Sequence, residues 1–168
     1  EYVFCEALGK SGKDPIIMMN EKEVVDYSGG GSVVANHVSH FVNNVEYITY
    51  LGENDEQKDF ISSQLHDNVS IKTVKKTNSP TIIKTRYIES YSKTKLFGTY
   101  QFNDGFLSTE NEQDLIGHIT SDLATCNGVI AIDYGHGLIT PTIAQHLEDN
   151  TPMLCVNTQL NAANKGFH

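Results

Sequence analysis

The sequence has 168 residues, 39% of them hydrophobic and 20% charged, which is typical of a globular domain with its own core. The formal net charge of −9 argues against nucleic acid or a membrane surface as partner, because both select basic surfaces. No apolar run approaches the roughly 18 residues of a membrane span. The absence of a secretion signal and three cysteines without paired spacing predict reduced thiols and a cytoplasmic location.

The first half of the chain alternates between strand and helix patterns. Short apolar runs near the start predict strands around a turn-rich connector, and apolar side chains at helical spacing predict a helix after a glycine triplet. The predicted elements are strands at 2–5 and 16–19, a helix at 31–42, a strand at 45–51, a helix at 54–65 and a strand at 69–74. This alternation is typical of an α/β fold.

A β-hairpin is predicted next, set apart from the α/β core. Residues 81–89 and 95–102 are rich in β-branched and aromatic side chains, and residues 90–94 between them have the composition of a turn. The apolar side chains are too numerous for a free two-stranded ribbon, so we expect them to be buried against a second copy of the chain. They are Ile82, Tyr87, Ile88, Phe97, Tyr100 and Phe102.

The last part of the chain returns to the α/β pattern, and Ser108 is a favourable N-cap for its first helix. The predicted elements are a helix at 110–124, a buried strand at 129–132, a helix at 141–147 and a buried strand at 153–156. Asp133 and Asn157 are expected to end the two strands. In open α/β sheets, ligands bind beyond the carboxyl ends of the parallel strands, so both residues are candidates for a site.

Gly29, Gly30 and Gly31 stand directly before the first predicted helix. One interpretation is a strand-to-helix turn that needs positive φ. The other is that exposed amides at the helix N-terminus bind a hydroxyl or phosphate group. The spacing matches neither a Walker loop nor the G-x-G-x-x-G dinucleotide motif.

Residues 133–137, Asp-Tyr-Gly-His-Gly, form a more specific motif. A carboxylate leaves a buried strand, two glycines follow, and a helix begins soon afterwards. Asp133 could accept hydrogen bonds from substrate hydroxyls or hold a metal-bound water, or it could cap the next helix. The residues alone leave these alternatives open.

Two further pairs of residues are candidates for binding an anionic group or a metal ion. Lys84 and Arg86 lie two residues apart on one face of a predicted strand, where they could clamp an anionic group or lie on a solvated face. His37 and His40 have the i, i+3 spacing of one helix face, but no third ligand follows at suitable spacing. We therefore predict no metal site.

Taken together, these segments resemble the PfkB/ribokinase family of sugar kinases, and within it the heptose-phosphate kinase subgroup. The family patterns concerned are the subgroup's opening segment, P-G-G-A-A-N-V-A, G-x-D, P-T-T-V-K-T-R and S-D-Y-G-K-G-V-L-T-P. The matching segments, in the same order, are residues 1–15, "SGGGSVVANHV" at 28–38, "GEND" at 52–55, "PTIIKTR" at 80–86 and "IDYGHGLITP" at 132–141. The similarity covers essentially the whole chain.

The resemblance implies a partial, Rossmann-like ribokinase fold with a β-sheet lid, whose strands would lie at about 1–20 and 80–103. It implies transfer of the γ-phosphoryl group of ATP, with Mg²⁺, to a hydroxyl of a sugar or sugar phosphate, in a homodimer paired through the lid. The sugar would lie against the glycine triplet, where a Cβ would occupy its space. The substrate-binding residues would be Gly29, Gly30, Gly31, Asn36, Lys84, Arg86, Asp133 and His136.

The chain departs from the family at three places. Val33 stands where the family has a sugar-binding Asn, which Asn36 one turn on would partly replace. His136 stands where the subgroup has Lys, which weakens phosphate binding at neutral pH. Residues 157–159, Asn-Thr-Gln, replace the usual D-P-K after the last strand. These differences imply a different substrate or weakened activity.

The resemblance also implies that residues 1–168 are the substrate-side part of a kinase domain. The family's first strand would precede Glu1, and the G-A-G-D signature with the catalytic base would follow residue 168. We therefore predict no catalytic residue here, and no ATP or Mg²⁺ bound to this part alone. The alternatives are a non-catalytic module for sugar binding or dimerisation, and an unrelated nucleotide-binding Rossmann domain, which would need a phosphate loop that the sequence lacks.

Overall fold

The computed structural model describes residues 1–159 and is a mixed α/β structure. Its elements are β1 (Tyr2–Lys10), β2 (Ile17–Val25), α1 (Gly30–Val38), β3 (Val45–Gly52), α2 (Lys58–Ser63), β4 (Val69–Lys76), β5 (Ile83–Glu89), β6 (Lys95–Gln101), α3 (Thr109–Leu123), β7 (Val129–Asp133), α4 (Pro141–Asn150) and β8 (Leu154–Thr158). The chain divides into two compact units. Unit 1 is Glu1–Tyr27 with Ile82–Gln101, and unit 2 is Ser28–Thr81 with the chain from Phe102 onward.

Unit 1 is a four-stranded sheet in the order β2-β1-β5-β6. The predicted hairpin forms β5 and β6, which pair antiparallel, while β1 pairs antiparallel with β2 and parallel with β5. Val3, Cys5 and Ile88 are buried in this sheet. Strand β2 runs to Val25, well past its predicted end at residue 19, because main-chain pairing with β1 continues through a polar, solvent-exposed stretch that has no strand-like pattern.

Unit 2 contains the alternating strands and helices. Strands β3 and β4 form one parallel pair, and β7 and β8 form another. Helix α1 packs against β3, and helix α3 packs against β3, β4 and α4. Leu51, Leu115 and Ile143 are the most deeply buried apolar side chains. As predicted, Ser108 caps α3 by accepting a hydrogen bond from the amide of Asn111.

Some predicted boundaries in unit 2 were wrong. The helix predicted at 54–65 is confined to α2, because Asp55 and Gln57 have φ of 56° and 69°, which a right-handed helix does not tolerate. Helix α1 ends at Val38 instead of continuing to residue 42. Strand β8 runs through Asn157 to Thr158, so Asn157 does not end it.

The predicted burial of β7 and β8 was also partly wrong. The side chains of Ile130 and Val156 are 47% and 61% exposed, although apolar runs of this kind predict strands covered on both faces. Within residues 1–159, β7 and β8 pair only with each other, and these two side chains are left exposed. In the same part of the chain, no helix combines the length and apolar character needed to cross a membrane.

Candidate functional site

The first turn of α1 is covered by two tyrosine rings. Gly29, Gly30 and Gly31 all have ordinary backbone angles, so positive φ does not explain the triplet. A Cβ added to Gly30 would lie 2.3 Å from Tyr134 Oη, and one added to Gly31 would lie 2.6 Å from Tyr47 Oη. The protein's own aromatic side chains therefore account for two of the three glycines.

Gly29 is different from its two neighbours. A Cβ added there would meet no atom of the described residues within 4 Å. Gly29 is also the N-cap of α1 and offers no side chain to the free amides of the first turn. Of the triplet, Gly29 is the residue at which a ligand could still approach the backbone, and its contact with a sugar stays a prediction.

Tyr134 joins the helix start to the end of β7. It follows Asp133 directly in sequence and its hydroxyl lies against Gly30, so the loop after β7 reaches the first turn of α1. Tyr47 on β3 lies beside it: burial raises the pKa of Tyr47, the side chain of Thr49 opposes the rise, and the neighbouring Tyr134 adds to it. Two segments singled out from the sequence are thus neighbours in unit 2.

Asp133 is the last residue of β7 and is buried. Its Oδ1 accepts a hydrogen bond of 2.7 Å from the amide of Gly135, whose φ is +74°. The helix-capping alternative is excluded, because Thr140 caps α4 by accepting from the amide of Ile143. The carboxylate is therefore held at the carboxyl end of a parallel strand by a tight turn.

His136 is also buried, with 8% of its surface exposed. Its Nδ1 lies 3.2 Å from Asp104 Oδ1, and its ring lies 5.3 Å from the ring of Phe102. Its Nε2 is buried and has no hydrogen-bond partner among residues 1–159. The main-chain carbonyl of His136 accepts two hydrogen bonds, from Tyr50 Oη at 3.1 Å and from Lys76 Nζ at 2.9 Å.

Lys76 is the most unusual residue near this turn. The side chain is 2% exposed, and its ammonium group also donates to the carbonyl of Asn103 at 2.5 Å. Desolvation lowers the pKa of Lys76, and the more distant carboxylate of Asp104 partly opposes that shift. Lys76 and Asp104 thus connect the 133–137 turn to the loop that begins at Phe102. Tyr50 connects the same turn to β3.

The remaining predicted site residues each have contacts of their own. The Asn36 side chain uses both ends to hold a neighbouring loop, donating to the carbonyl of Gln64 at 2.7 Å and accepting from the amide of His66 at 3.0 Å. Lys84 and Arg86 lie on one face of β5 in unit 1, where they contact the rings of Tyr100 and Tyr2 respectively. The structure brings Gly30 together with Tyr134, but Asn36 has a structural role.

Within residues 1–159, no group of three or more His, Cys, Asp or Glu side chains is arranged so that it could hold a metal ion. His37 packs against Phe41, and His40 packs against His66. These histidines have aromatic contacts instead of a shared ligand geometry.

Tyr50 predicts a specific loss of stability at high pH. Burial raises the pKa of Tyr50 far above its ordinary value, with the charge of Asp104 as a second cause. As the pH rises, the unfolded chain therefore releases this proton before the folded chain does. The contribution of Tyr50 to the unfolding free energy is complete below pH ~10 and falls above that pH by up to about 1.4 kcal/mol per pH unit. We expect Tyr50→Phe to flatten the decline of the unfolding free energy above that pH, measured by urea denaturation.

A matched variant separates this effect from the loss of any phenol. Tyr91 is 95% exposed, so Tyr91→Phe is the control. Equal alkaline slopes for Tyr50→Phe and the unmodified protein would show that Tyr50 does not set the alkaline limit.

Comparison with known proteins gives a consistent fold assignment. No family model matches the chain. Curated proteins named bifunctional protein HldE match the chain. The one from Bradyrhizobium diazoefficiens is 25% identical over 153 residues, which cover 89% of this chain and 30% of that protein. The one from Wolinella succinogenes is 27% identical over 147 residues, 86% and 30% of the two chains. This chain therefore spans about 30% of the length of these relatives.

Solved structures show the same resemblance at the level of the fold. Phosphofructokinase-2 from Escherichia coli, in complex with fructose-6-phosphate, superposes with a TM-score of 0.60 at 16% identity, over 96% of this chain and 52% of that one. Ribokinase from Giardia lamblia gives a TM-score of 0.52 at 15% identity, over 98% and 53%. The chain thus spans about half the length of these kinases. The predicted ribokinase-like α/β fold is confirmed, and at the level of the fold the chain is similar to the solved phosphofructokinase-2 and ribokinase.

Proposed function

We propose that the intact protein is an ATP-dependent carbohydrate kinase that transfers the γ-phosphoryl group of ATP to a hydroxyl of a sugar or sugar phosphate. The observation that carries the proposal is the position of Asp133 in a ribokinase-like fold. Its buried carboxylate lies at the carboxyl end of β7, and the next residue contacts the first turn of α1. Ligands of open α/β folds bind at strand ends of this kind.

The proposed division of labour leaves the sugar side to this chain. Asp133 would accept hydrogen bonds from substrate hydroxyls, and Gly29 would let the substrate approach the free amides of α1. His136 is the proposed contact for an anionic or hydroxyl group, and Lys84 and Arg86 on unit 1 are the candidate cations for a sugar phosphate. Such groups act by positioning and by fixed charge.

We propose that this chain does not bind ATP or Mg²⁺ by itself. The sequence contains neither a G-A-G-D signature nor a phosphate-binding loop. Residues 1–159 also offer no cluster of three potential metal ligands. Since the chain covers only about half of the kinases it resembles, we propose that the nucleotide site and the catalytic base are supplied by sequence outside these 168 residues.

Phosphorylation of a panel of sugars tests this proposal. The intact protein would be incubated with ATP and Mg²⁺ and with hexoses, heptoses, pentoses and their monophosphates, including fructose 6-phosphate. ADP release would be followed by a coupled assay and the product by mass spectrometry. We expect one class of sugar to raise ADP release well above the background ATPase rate. Background rates across the whole panel would overturn the kinase assignment.

A second candidate is a non-catalytic sugar-binding or dimerisation module. It is favoured by Asn36, whose amide is engaged with Gln64 and His66 and so does not replace the Asn that Val33 displaces. Val33 itself is 56% exposed and offers no hydrogen bond. Calorimetric binding of a panel sugar without any turnover would support the module over the kinase.

We also propose a cytoplasmic homodimer paired through the sheet of unit 1, which would act as the lid. All seven residues of β6 are exposed, and the apolar side chains of Leu96 and Tyr100 lie four residues apart, on the same face of the strand. Exposed apolar surface of this kind is typical of protein–protein contacts. We expect sedimentation to show a dimer, and Leu96→Asp to shift it towards monomer while Lys95→Asp on the same strand has a smaller effect. A monomer at high protein concentration would contradict this proposal.

A further inference from the structure

The ammonium group of Lys76 is held by main-chain carbonyl groups and an aromatic ring. Its ammonium group donates to two main-chain carbonyl oxygens, of Asn103 at 2.5 Å and of His136 at 2.9 Å, and lies 4.9 Å from the centre of the Tyr50 ring. Among residues 1–159, no carboxylate oxygen lies within 4.0 Å of it. Its charge is met by carbonyl dipoles and an aromatic face instead of a counter-ion.

This arrangement is not an ordinary surface lysine. Lysines usually extend their ammonium group to water, and fully buried ones are rare without a paired carboxylate. Lys76 is 2% exposed, so its side chain is largely shielded from bulk solvent. Lys75, the next residue on β4, shows the usual arrangement: its ammonium group lies 2.9 Å from Asp55 Oδ2, and its side chain is 58% exposed.

The two carbonyls belong to the two segments that flank the candidate site. Asn103 precedes Asp104, which contacts the ring of His136, and the His136 carbonyl lies within the turn that begins at Asp133. With Tyr50 as the second donor, both lone pairs of that carbonyl are used. One ammonium group therefore fixes the main chain between the turn's two positive-φ glycines, Gly135 and Gly137.

We propose that Lys76 is a positioning residue whose ammonium group acts as a tethered monovalent cation, holding the 102–105 loop and the 133–137 turn in their binding geometry. The cation role depends only on the contacts within unit 2. Its consequence for ligand binding rests on the proposed function. The lowered pKa of Lys76 agrees with a charge that carbonyl groups stabilise less well than water does.

Cation rescue tests the proposal in the intact protein. Lys76→Ala would open a space in front of the two carbonyls, remove the Lys76 donor from both and leave the His136 carbonyl with Tyr50 Oη alone, which is costly in a buried site. We expect its thermal midpoint to fall by about 5 °C or more. Ammonium or methylammonium chloride should recover part of this loss, whereas choline chloride at the same ionic strength should not. Lys75→Met is the control and should show neither the loss nor the rescue.

A second readout follows the site itself. In Lys76→Met, which removes the charge and keeps the length, the ring resonance of His136 should shift by NMR, after its assignment with His136→Gln. The resonance should return towards its original position when ammonium is added to Lys76→Ala. A purely structural role would lower the midpoint without a selective response to ammonium.

Each outcome decides the proposal. A normal midpoint in both variants, an equal response to ammonium and choline, or an unchanged His136 resonance would overturn it. If Lys76→Ala does not fold, circular dichroism in ammonium against choline gives the same decision. Sugar-phosphate affinity, measured with fructose 6-phosphate or the best panel substrate, should fall about tenfold in Lys76→Met. Failure of the unmodified protein to bind any sugar would reject the proposed function but leave the cation test intact.

Discussion

Replacing Gly137 with alanine is expected to lower the free energy of unfolding by about 3–5 kcal/mol. The residue has φ of +81°, a conformation that L side chains rarely adopt. An added Cβ would lie 2.1 Å from the carbonyl oxygen of Gly105 and 3.0 Å from Cα of Phe106. Both are main-chain atoms, so a side-chain rotation cannot relieve the clash. Urea denaturation with a matched slope would measure the loss.

Gly117 provides the control for this substitution. It lies within α3, and a Cβ added there meets no atom of the described residues within 4 Å. Alanine favours a helix interior over glycine, so Gly117→Ala is expected to stabilise the protein by up to about 1 kcal/mol. A loss of less than about 1 kcal/mol for Gly137→Ala would contradict the tight contact between the two loops.

Gly137 belongs to the same turn as the candidate site. The amide of Leu107 donates to the carbonyl of Gly137 at 3.2 Å, while the ammonium group of Lys76 donates to the carbonyl one residue earlier. The 133–137 turn is therefore held by a main-chain hydrogen bond and by a buried cation, with little space for a side chain at Gly137. We expect Gly137→Ala to shift the His136 ring resonance as well.

Local signals in the sequence predicted most of the elements. The hairpin of β5 and β6, the Ser108 cap and the start of α4 at Pro141 all follow from residues within a few positions of each other. The predicted boundaries failed where a neighbouring strand or an unusual backbone angle decided the outcome. Strand β2 extends because β1 lies beside it, and α2 is short because two non-glycine residues in the preceding loop adopt positive φ.

The sequence singled out only some of the residues around the 133–137 turn, because one of the contacts there is distant in sequence. Asp133 and His136 became candidates because they share one short motif, whereas Lys76 contacts that motif from 60 residues away. The strand pattern of β4 did hold a signal for it. Val74 is buried, and a period of two places Lys76 on the same side of the strand, where an apolar residue would be expected.

The glycine triplet shows that the absence of side chains at one sequence motif can have more than one structural explanation. The sequence suggested that a sugar excludes the side chains there, but the rings of Tyr134 and Tyr47 already exclude them at Gly30 and Gly31. Tyr134 could have been noticed beside Asp133. Tyr47 lies inside a strand and carries no local signal of a role at the helix start. Only a three-dimensional arrangement connects it with α1.

Replacing Asp133 with asparagine is expected to reduce kcat/KM for the sugar by about 100-fold, without unfolding the protein. Asparagine has nearly the same shape and keeps an oxygen that can accept the hydrogen bond from the amide of Gly135. It removes the negative charge and replaces one acceptor oxygen with an amide donor, which lowers the capacity to accept from substrate hydroxyls. The measurements are steady-state kinetics on the best panel substrate and the unfolding free energy of the same variant.

Asp133→Ala separates the structural role of this side chain from its role in binding. It removes the acceptor for the Gly135 amide in a buried position, so we expect it to lose about 1–3 kcal/mol of stability in addition to activity. If the carboxylate binds substrate, the two variants lose similar activity but differ in stability. Nearly full activity in Asp133→Asn, with loss only in Asp133→Ala, would mean that Asp133 only shapes the turn. The sugar hydroxyls would then have to be bound by other groups.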